Sequence, residues 1–508
     1  MSVPPPDLVP SAAGTPRRLE PGRTCWRIEQ AARASVIVDA EDYFIAARAA
    51  MLQARHRIML IGWDFDARIR LGDPAADGGP ARVGDFIYWL VKRTPGLEVR
   101  LLRWDVGALK TLLRGTTLLT VLKWMRHPRI HTRLDGTHPM GGSHHQKIVV
   151  IDDCFAFCGG IDMTGERLDT RHHRDEEPLR ALSNGKSYKP WHDTTTALEG
   201  PVAAALGELS RERWERSGGG TLPPVEGRSD CWPEALPVQF THAAVAISRA
   251  EPEMPDFPMV LEVERLYLDH IALAERFLYA ESQYFASRRI AEAIAARLEE
   301  EDGPEIVIVN PVGAQGWLAP IAMDSARARL FEALKRRDRH DRLRIYHPFT
   351  DGGQPIYVHA KILIVDDLIL RVGSSNMNNR SLRLDTECDV TIDAREAANG
   401  AHRAAIVAIR DGLLAEHLGV AAEVVAATIE AEGSLIRAIA RLRSDGRSLR
   451  DYQVPELSSV GAWLADNEVL DPEGPAEMFE PLAKRGLFRR VRARAAAVRQ
   501  RATGKLHR

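Results

Sequence analysis

The stretch GSHHQKIVVIDD, from Gly142 to Asp153, returns as YVHAKILIVDD, from Tyr357 to Asp367. Each copy reads His-x-Lys, four residues, then Asp: His145, Lys147 and Asp152 in the first, His359, Lys361 and Asp366 in the second. Both copies are apolar runs of strand length that stop at a double Asp and are followed by a second apolar run. Each therefore predicts a β-hairpin. One such match arises by chance in long chains; two, each followed by small residues at the same offset, do not. A chain that writes one supersecondary unit twice is expected to fold as two versions of one lobe.

Strand geometry assigns faces. Side chains alternate, so His145 and Lys147 share a face, and Asp152, an odd number of positions away, points to the other. The same holds for His359, Lys361 and Asp366. The Asp is thus expected to anchor the hairpin by a salt bridge or backbone hydrogen bonds, away from whatever the His and Lys touch. A turn centred on each double Asp brings Gly160 opposite His145 and Ser374 opposite His359. Small residues there let a ligand approach the backbone closely, and Ser374 and Asn376 add neutral donors.

The rest of the chain alternates in the same way in both halves. EDYFIAARAAMLQARH, GDFIYWLVKRT, EVERLYLDHIALAERF, SRRIAEAIAARLEEE and DSARARLFEALKRRD have helical spacing, and RIMLIGWDFD, EVRLLRWD, LYAESQYF, EIVIVN and RLRIYHP read as strands. The fold class is α/β, two similar lobes, each a mixed sheet flanked by helices. The expected boundaries are a loose arm over 1–20, a first lobe over 21–215, a Gly- and Pro-rich linker over 216–237, a second lobe over 238–400, and a helical C-terminal region with a basic tail over 401–508. The chain's 508 residues suffice for two large cores.

Lys and Arg number 68 against 70 Asp and Glu, a net charge of −2. That balance does not suggest a general nucleic-acid binder, and nucleic acid is not an expected partner. Five scattered cysteines, Cys25, Cys154, Cys158, Cys231 and Cys388, argue against a disulfide framework and are read as buried thiols. The first residues lack a basic and apolar leader, and no run reaches membrane-span length. The expectation is a soluble, monomeric, cytoplasmic protein with peripheral contact to the inner membrane face. LKTLLRGTTLLTVLKWM, Leu109 to Met125, and the Arg-rich end, Arg489 to Arg501, are candidate lipid-facing segments.

Two His, two Lys and an Asn without a cluster of carboxylates suit a phosphodiester. The lysines offset charge on the non-bridging oxygens and in the transition state. One His attacks phosphorus and the other protonates the departing oxygen. No metal or other cofactor is required. A zinc site from His144, His172, His173 and His192 lacks regular ligand spacing.

These residues resemble the phospholipase D superfamily in its two-motif, single-chain form. GGIDMTGERLDT (159–170), PWHDTTTALEGP (190–201), ESQYF (281–285), NNRSLRLDTE (378–387) and EHLG (416–419) are similar to further segments of that family. The resemblance implies two lobes across a pseudo-twofold axis with one active site at the seam. His145 would be the nucleophile and His359 the general acid, then base. Lys147, Lys361 and Asn376 would bind phosphate. Each His would be oriented by a downstream acid: Glu387 in the second half, Asp193 in the first. Asp162 stands where the second repeat has Asn376. The implied reaction is hydrolysis or exchange of a phospholipid head group; a cardiolipin-synthase-like transfer, a metal-independent nuclease and a silent membrane-surface scaffold are the alternatives.

Overall fold

The computed structural model describes residues 19–72, 77–105, 116–182, 184–227, 230–314 and 323–455. The expected arm up to residue 18, the first part of the segment over 109–125 and the basic tail lie outside them. The strands of the first half are β1 (Arg27–Val38), β2 (Arg57–Gly62), β3 (Glu98–Trp104), β4 (Ile130–Asp135), β5 (Ile148–Ile151), β6 (Phe155–Gly159), β7 (Trp191–His192) and β8 (Thr194–Glu199). Those of the second are β9 (Phe240–Glu251), β10 (Val260–Leu261), β11 (Phe277–Glu281), β12 (Glu305–Val309), β13 (Leu343–Phe349), β14 (Tyr357–Val358), β15 (Ile362–Val365), β16 (Ile369–Gly373), β17 (Glu387–Asp393) and β18 (Ser448–Asp451).

A separate sheet in each lobe was the expectation; all the strands but β7 and β14, which pair with each other, instead form one continuous sheet. Its order is β18-β13-β12-β11-β15-β16-β17-β9-β1-β8-β6-β5-β2-β3-β4. The join is the antiparallel β1–β9 pair, registered from Arg27 against Ile247 to Ala34 against Phe240. Outward from that pair, β8-β6-β5-β2-β3-β4 on one side matches β17-β16-β15-β11-β12-β13 on the other. Within each half the strands carrying the repeated motif are antiparallel, and the outer three are parallel.

Helices cover both faces. On one, Ala40–Leu52 and Val83–Arg93 lie over the first half, and Glu262–Leu273, Arg288–Glu299 and Ser325–Arg337 over the second. The helix Arg288–Glu299 shows why these segments fold so. Ser287 caps it by accepting from the Ile290 amide, and Ile290, Ala291, Ile294, Ala295 and Leu298 form its buried stripe. On the other face Pro201–Trp214 packs on the first half. Arg403–Leu418, Ala422–Glu432 and Leu435–Leu442 pack on the second, so the second half continues past residue 400. Among the described residues no single helix is long and apolar enough to cross a membrane.

The hairpins form, with a turn one residue longer than expected. Ile148 pairs with Cys158 and Ile151 with Phe155, so the turn is Asp152–Cys154. Ile362 pairs with Val372 and Val365 with Ile369, so the second turn is Asp366–Leu368. This shifts the register by one and removes the expected pairings of Gly160 with His145 and of Ser374 with His359. The cause is backbone conformation: Asp152, Asp153, Asp366 and Asp367 have φ of 49, 50, 54 and 61°. A three-residue turn of this kind needs left-handed positions, and Asp tolerates them better than most side chains.

Both Asp pairs do the same two jobs. Asp152 accepts from the Arg55, His56 and Arg57 amides at 2.7 Å each. Asp366 accepts from Glu275, Arg276 and Phe277 at 2.7 to 2.8 Å. The following aspartates pair with arginines on the covering helices, Asp153 with Arg211 and Asp367 with Arg410. Asp152→Ala or Asp366→Ala leaves three amides without their acceptor. A loss of about 3–5 kcal/mol is expected from charge-assisted bonds of this kind, read as a lowered urea midpoint. A change below about 1 kcal/mol would refute the anchoring role.

The cysteines depart from the expectation. Cys154 and Cys231 form a disulfide across 77 residues, which ties the connecting segment to the first half. Cys25, Cys158 and Cys388 are buried thiols.

Candidate active site

The two motif strands do not stay within their own halves. The His145 amide donates to the Thr386 carbonyl at 2.9 Å, and the Thr386 amide donates to the Ser143 carbonyl. The His359 amide donates to the His192 carbonyl at 2.7 Å, beside the parallel β7–β14 pair. Each motif is thus laced to the segment that carries the other half's acid. The next residue along each segment is that acid.

The side chains obey the same exchange. His145 Nδ1 lies 3.0 Å from Glu387 Oε1 and Oε2 and 3.1 Å from the Ser374 carbonyl. His359 Nδ1 lies 2.7 Å from Asp193 Oδ2. The expectation that each acid orients the His of its own half is corrected: the pairs are exchanged across the seam. With Nδ1 donating to a carboxylate, each imidazole keeps its Nε2 for a ligand.

The lysines complete the pocket. Lys147 donates to the His145 carbonyl at 2.6 Å and stands 3.4 Å from Asp162 Oδ2. Lys361 donates to the His359 carbonyl and to Gln283 Oε1 at 3.5 Å. Asn376 is buried, and its Oδ1 has no hydrogen-bond partner.

Ser374 and Gly160 serve a different purpose from the expected one. Ser374 Oγ donates to Glu387 Oε2 at 2.5 Å, and Ser381 Oγ donates to Oε1 at 2.7 Å. Ser374 therefore holds the acid that holds His145. Gly160 leaves room for Asp193: a Cβ there would lie 2.3 Å from Asp193 Oδ1. Both small residues support the imidazole of the opposite half. Asp162 faces Lys147, at the position that Asn376 holds in the second half.

Burial dominates the electrostatics. It holds both imidazoles well below their usual value, with Lys147 and Lys361 adding to it at His145 and Lys361 and Arg167 at His359. Burial also lowers Lys361 to about 7, against the pull of Asp193. The same burial raises the Glu387 carboxyl well above its usual range, while Lys147 and the two serine hydroxyls draw it back.

Several contributors were not singled out from sequence. Arg167 lies over the Trp191 ring, 4.1 Å from its centroid. Trp191 stacks on Tyr357 at 4.6 Å and packs on His359 at 5.1 Å. Gln283 bridges Lys361 and the Tyr357 hydroxyl. All lie inside or beside segments already noted for resemblance; individual spacing gave no signal for their roles. Of the four spare histidines, His144 contacts Asp135 and Thr386 and His172 is exposed. His173 and His192 do meet, with Asp39 and Glu416 as neighbours.

Two family models match the chain. Residues 50–250 match "Phospholipase D", and residues 267–404 match "Cardiolipin synthase, PLD-like domain". Phospholipase D alpha 1 of Carica papaya is 24% identical over 81% of this chain and 65% of its own length. The Arabidopsis thaliana phospholipase D alpha 1 gives the same values. The chain thus spans just under two thirds of the length of these relatives. A phosphatidylserine synthase structure from Haemophilus influenzae Rd KW20 superposes with a TM-score of 0.49 at 14% identity, over 74% of this chain and 85% of that one.

Proposed function

The chain belongs to the phospholipase D superfamily, and from that premise we propose that it cleaves or exchanges a glycerophospholipid head group through a covalent phosphohistidine. The observation that carries this reading is the exchanged pairing, His145 on Glu387 and His359 on Asp193. It leaves two Nε2 atoms and two buried lysines for one phosphodiester.

In the proposed first step His145 Nε2 attacks phosphorus. Lys147, Lys361 and Asn376 hold the non-bridging oxygens, and the extra charge of the transition state meets the two ammonium groups. The bond to the leaving oxygen breaks, and His359 Nε2 gives that oxygen its proton. Burial and the neighbouring cations keep His359 neutral in the free protein; the bound anion offsets the cations' share, so the imidazole can carry the proton when it is needed. In the second step His359, now neutral, takes a proton from water or an alcohol, which attacks the phosphohistidine and frees His145. Glu387 and Asp193 hold the Nδ1 protons throughout.

The lipid class rests on the family and on surface features. On the helix Thr116–Met125, Trp124 is buried, while Leu119 and Met125 are each 66% exposed. Met140, five residues before His145 in the chain, is 70% exposed. Exposed apolar side chains fit a monomeric protein that rests on a membrane surface. The Cys154–Cys231 disulfide is of a kind more usual in oxidising compartments. A cytoplasmic placement therefore rests on the sequence expectation alone.

A synthase-type transfer, with an alcohol in place of water, uses the same geometry, and the model matched by residues 267–404 bears that description. The deciding experiment incubates the protein with phosphatidylcholine or phosphatidylglycerol liposomes, EDTA and ethanol, with products read by mass spectrometry. Phosphatidylethanol is the expected product, and the preferred lipid separates the phospholipase from the synthase reading. No product from either lipid, with His145 and His359 intact, would overturn the phospholipid assignment.

A further inference from the structure

Next to the active site, on the far side of Asp193, lies a second cluster that the phosphodiester chemistry does not use. Asp39, His173, His192 and Glu416 are all buried, and one ligand-type atom from each lies within 4.8 Å of the others. They alternate around a common centre. His173 Nε2 is 3.0 Å from Glu416 Oε1 and 3.3 Å from Asp39 Oδ2. His192 Nδ1 is 2.8 Å from Glu416 Oε1 and 3.3 Å from Asp39 Oδ1. A tetrahedral site with bonds of about 2.0–2.2 Å has edges only slightly longer than this.

We propose that these four side chains form a buried site for one four-coordinate divalent metal of the zinc class. Two observations support it, and the local charge accommodates it. First, two of the inward-facing atoms, Asp39 Oδ2 and His192 Nδ1, are buried and make no well-formed hydrogen bond. Second, the outward atoms are held as metal ligands require. His173 Nδ1 meets Asp169 at 3.0 Å, and His192 Nε2 meets Glu281 at 2.7 Å. Arg171 holds the outer oxygen of Glu416 at 2.6 Å. A carboxylate behind each imidazole fixes its tautomer and turns the other nitrogen to the metal.

The local charge also accommodates a central dication in place of two imidazole protons. The buried carboxylates are Asp39, Asp169, Glu281 and Glu416, and the guanidinium groups hydrogen-bonded to them are Arg171 and Arg180. Two positive charges remain to be supplied. They come either from protons on His173 and His192 or from one dication. The metal enters as two protons leave for solvent, so the total charge is unchanged. Two imidazole nitrogens and two carboxylate oxygens suit zinc better than calcium or magnesium, which prefer six or more oxygens.

Such an ion would tie the first half to the helix Arg403–Leu418 and fix the backbone at His192, next to Asp193. Its role is to position, since none of the four ligands reaches the reacting atoms. The proposal stands apart from the phospholipid reading and is tested without activity. The full chain is produced in zinc-supplemented medium, purified without chelator, and its metal content measured by mass spectrometry. Protein grown with cobalt is examined for the visible bands of four-coordinate cobalt(II). About one metal per chain is expected, with tetrahedral bands for cobalt. Both signals should disappear in His173→Gln and Glu416→Gln, and the melting temperature should fall. If one variant does not fold, the other, checked by circular dichroism, decides. Folded wild-type protein with far less than one metal per chain overturns the proposal and leaves a network of protonated imidazoles. Metal retained by both folded variants overturns it too, because the ion is then held elsewhere.

Discussion

His145→Ala and His359→Ala are each expected to lower turnover of a phosphodiester with an alkoxide leaving group by at least about 10²–10⁴. The two should part company on a p-nitrophenyl phosphodiester, whose leaving group needs no proton. His145→Ala removes the atom that bonds to phosphorus and stays inactive on either substrate. His359→Ala keeps the first step and loses the second, so one equivalent of p-nitrophenol is released in a burst and a phosphorylated enzyme accumulates. Both variants should fold, since each imidazole lies at the pocket and neither anchors a hairpin. Wild-type turnover in either variant would refute the mechanism. A burst from His145→Ala and none from His359→Ala would exchange the two roles.

Glu387→Gln should behave like a weakened His145→Ala, although the two residues belong to different halves of the chain. The glutamine can still meet Nδ1 but no longer selects the tautomer or stabilises the imidazolium, and removing such a partner costs about 10²–10⁴ in kcat. By the same logic Asp193→Asn should impair the acid–base step that His359 performs. The signature is the burst. Glu387→Gln should suppress it; Asp193→Asn should leave it and slow the release of the phosphoryl group from His145. Double variants test the pairing directly. His145→Ala with Glu387→Gln should cost little more than His145→Ala alone, because both remove one unit of the machinery. Additive losses in that pair, and non-additive losses for His145→Ala with Asp193→Asn, would restore pairing within each half.

Much of this site was legible in the chain. The duplicated His-x-Lys placed both hairpins, because apolar alternation and a double Asp are local signals. The faces of His145, Lys147, His359 and Lys361 follow from the period of a strand. Asp152 and Asp366 turn away from the pocket and bind backbone amides for the same reason. The turn length was harder to read. Whether two or three residues close a hairpin depends on φ at the aspartates, and Asp adopts both right- and left-handed conformations readily. The central strands Arg27–Val38 and Phe240–Glu251 carry polar residues among their apolar ones and gave no clear local signal.

The sequence by itself determined the chemistry: which side chains are present, which hairpins carry them, and that the unit occurs twice. Tertiary structure alone decided who partners whom. Glu387 and Asp193 each come after a motif in their own half, and no local rule distinguishes the near imidazole from the far one. The choice is made by the backbone bonds of His145 to Thr386 and of His359 to His192, which exist only when the two halves close on each other. The Cys154–Cys231 link across 77 residues and the meeting of Asp39, His173, His192 and Glu416 have the same origin. Contacts between segments far apart in the chain depend on how sheets join and helices cover them, and single-sequence periodicity carries no record of that.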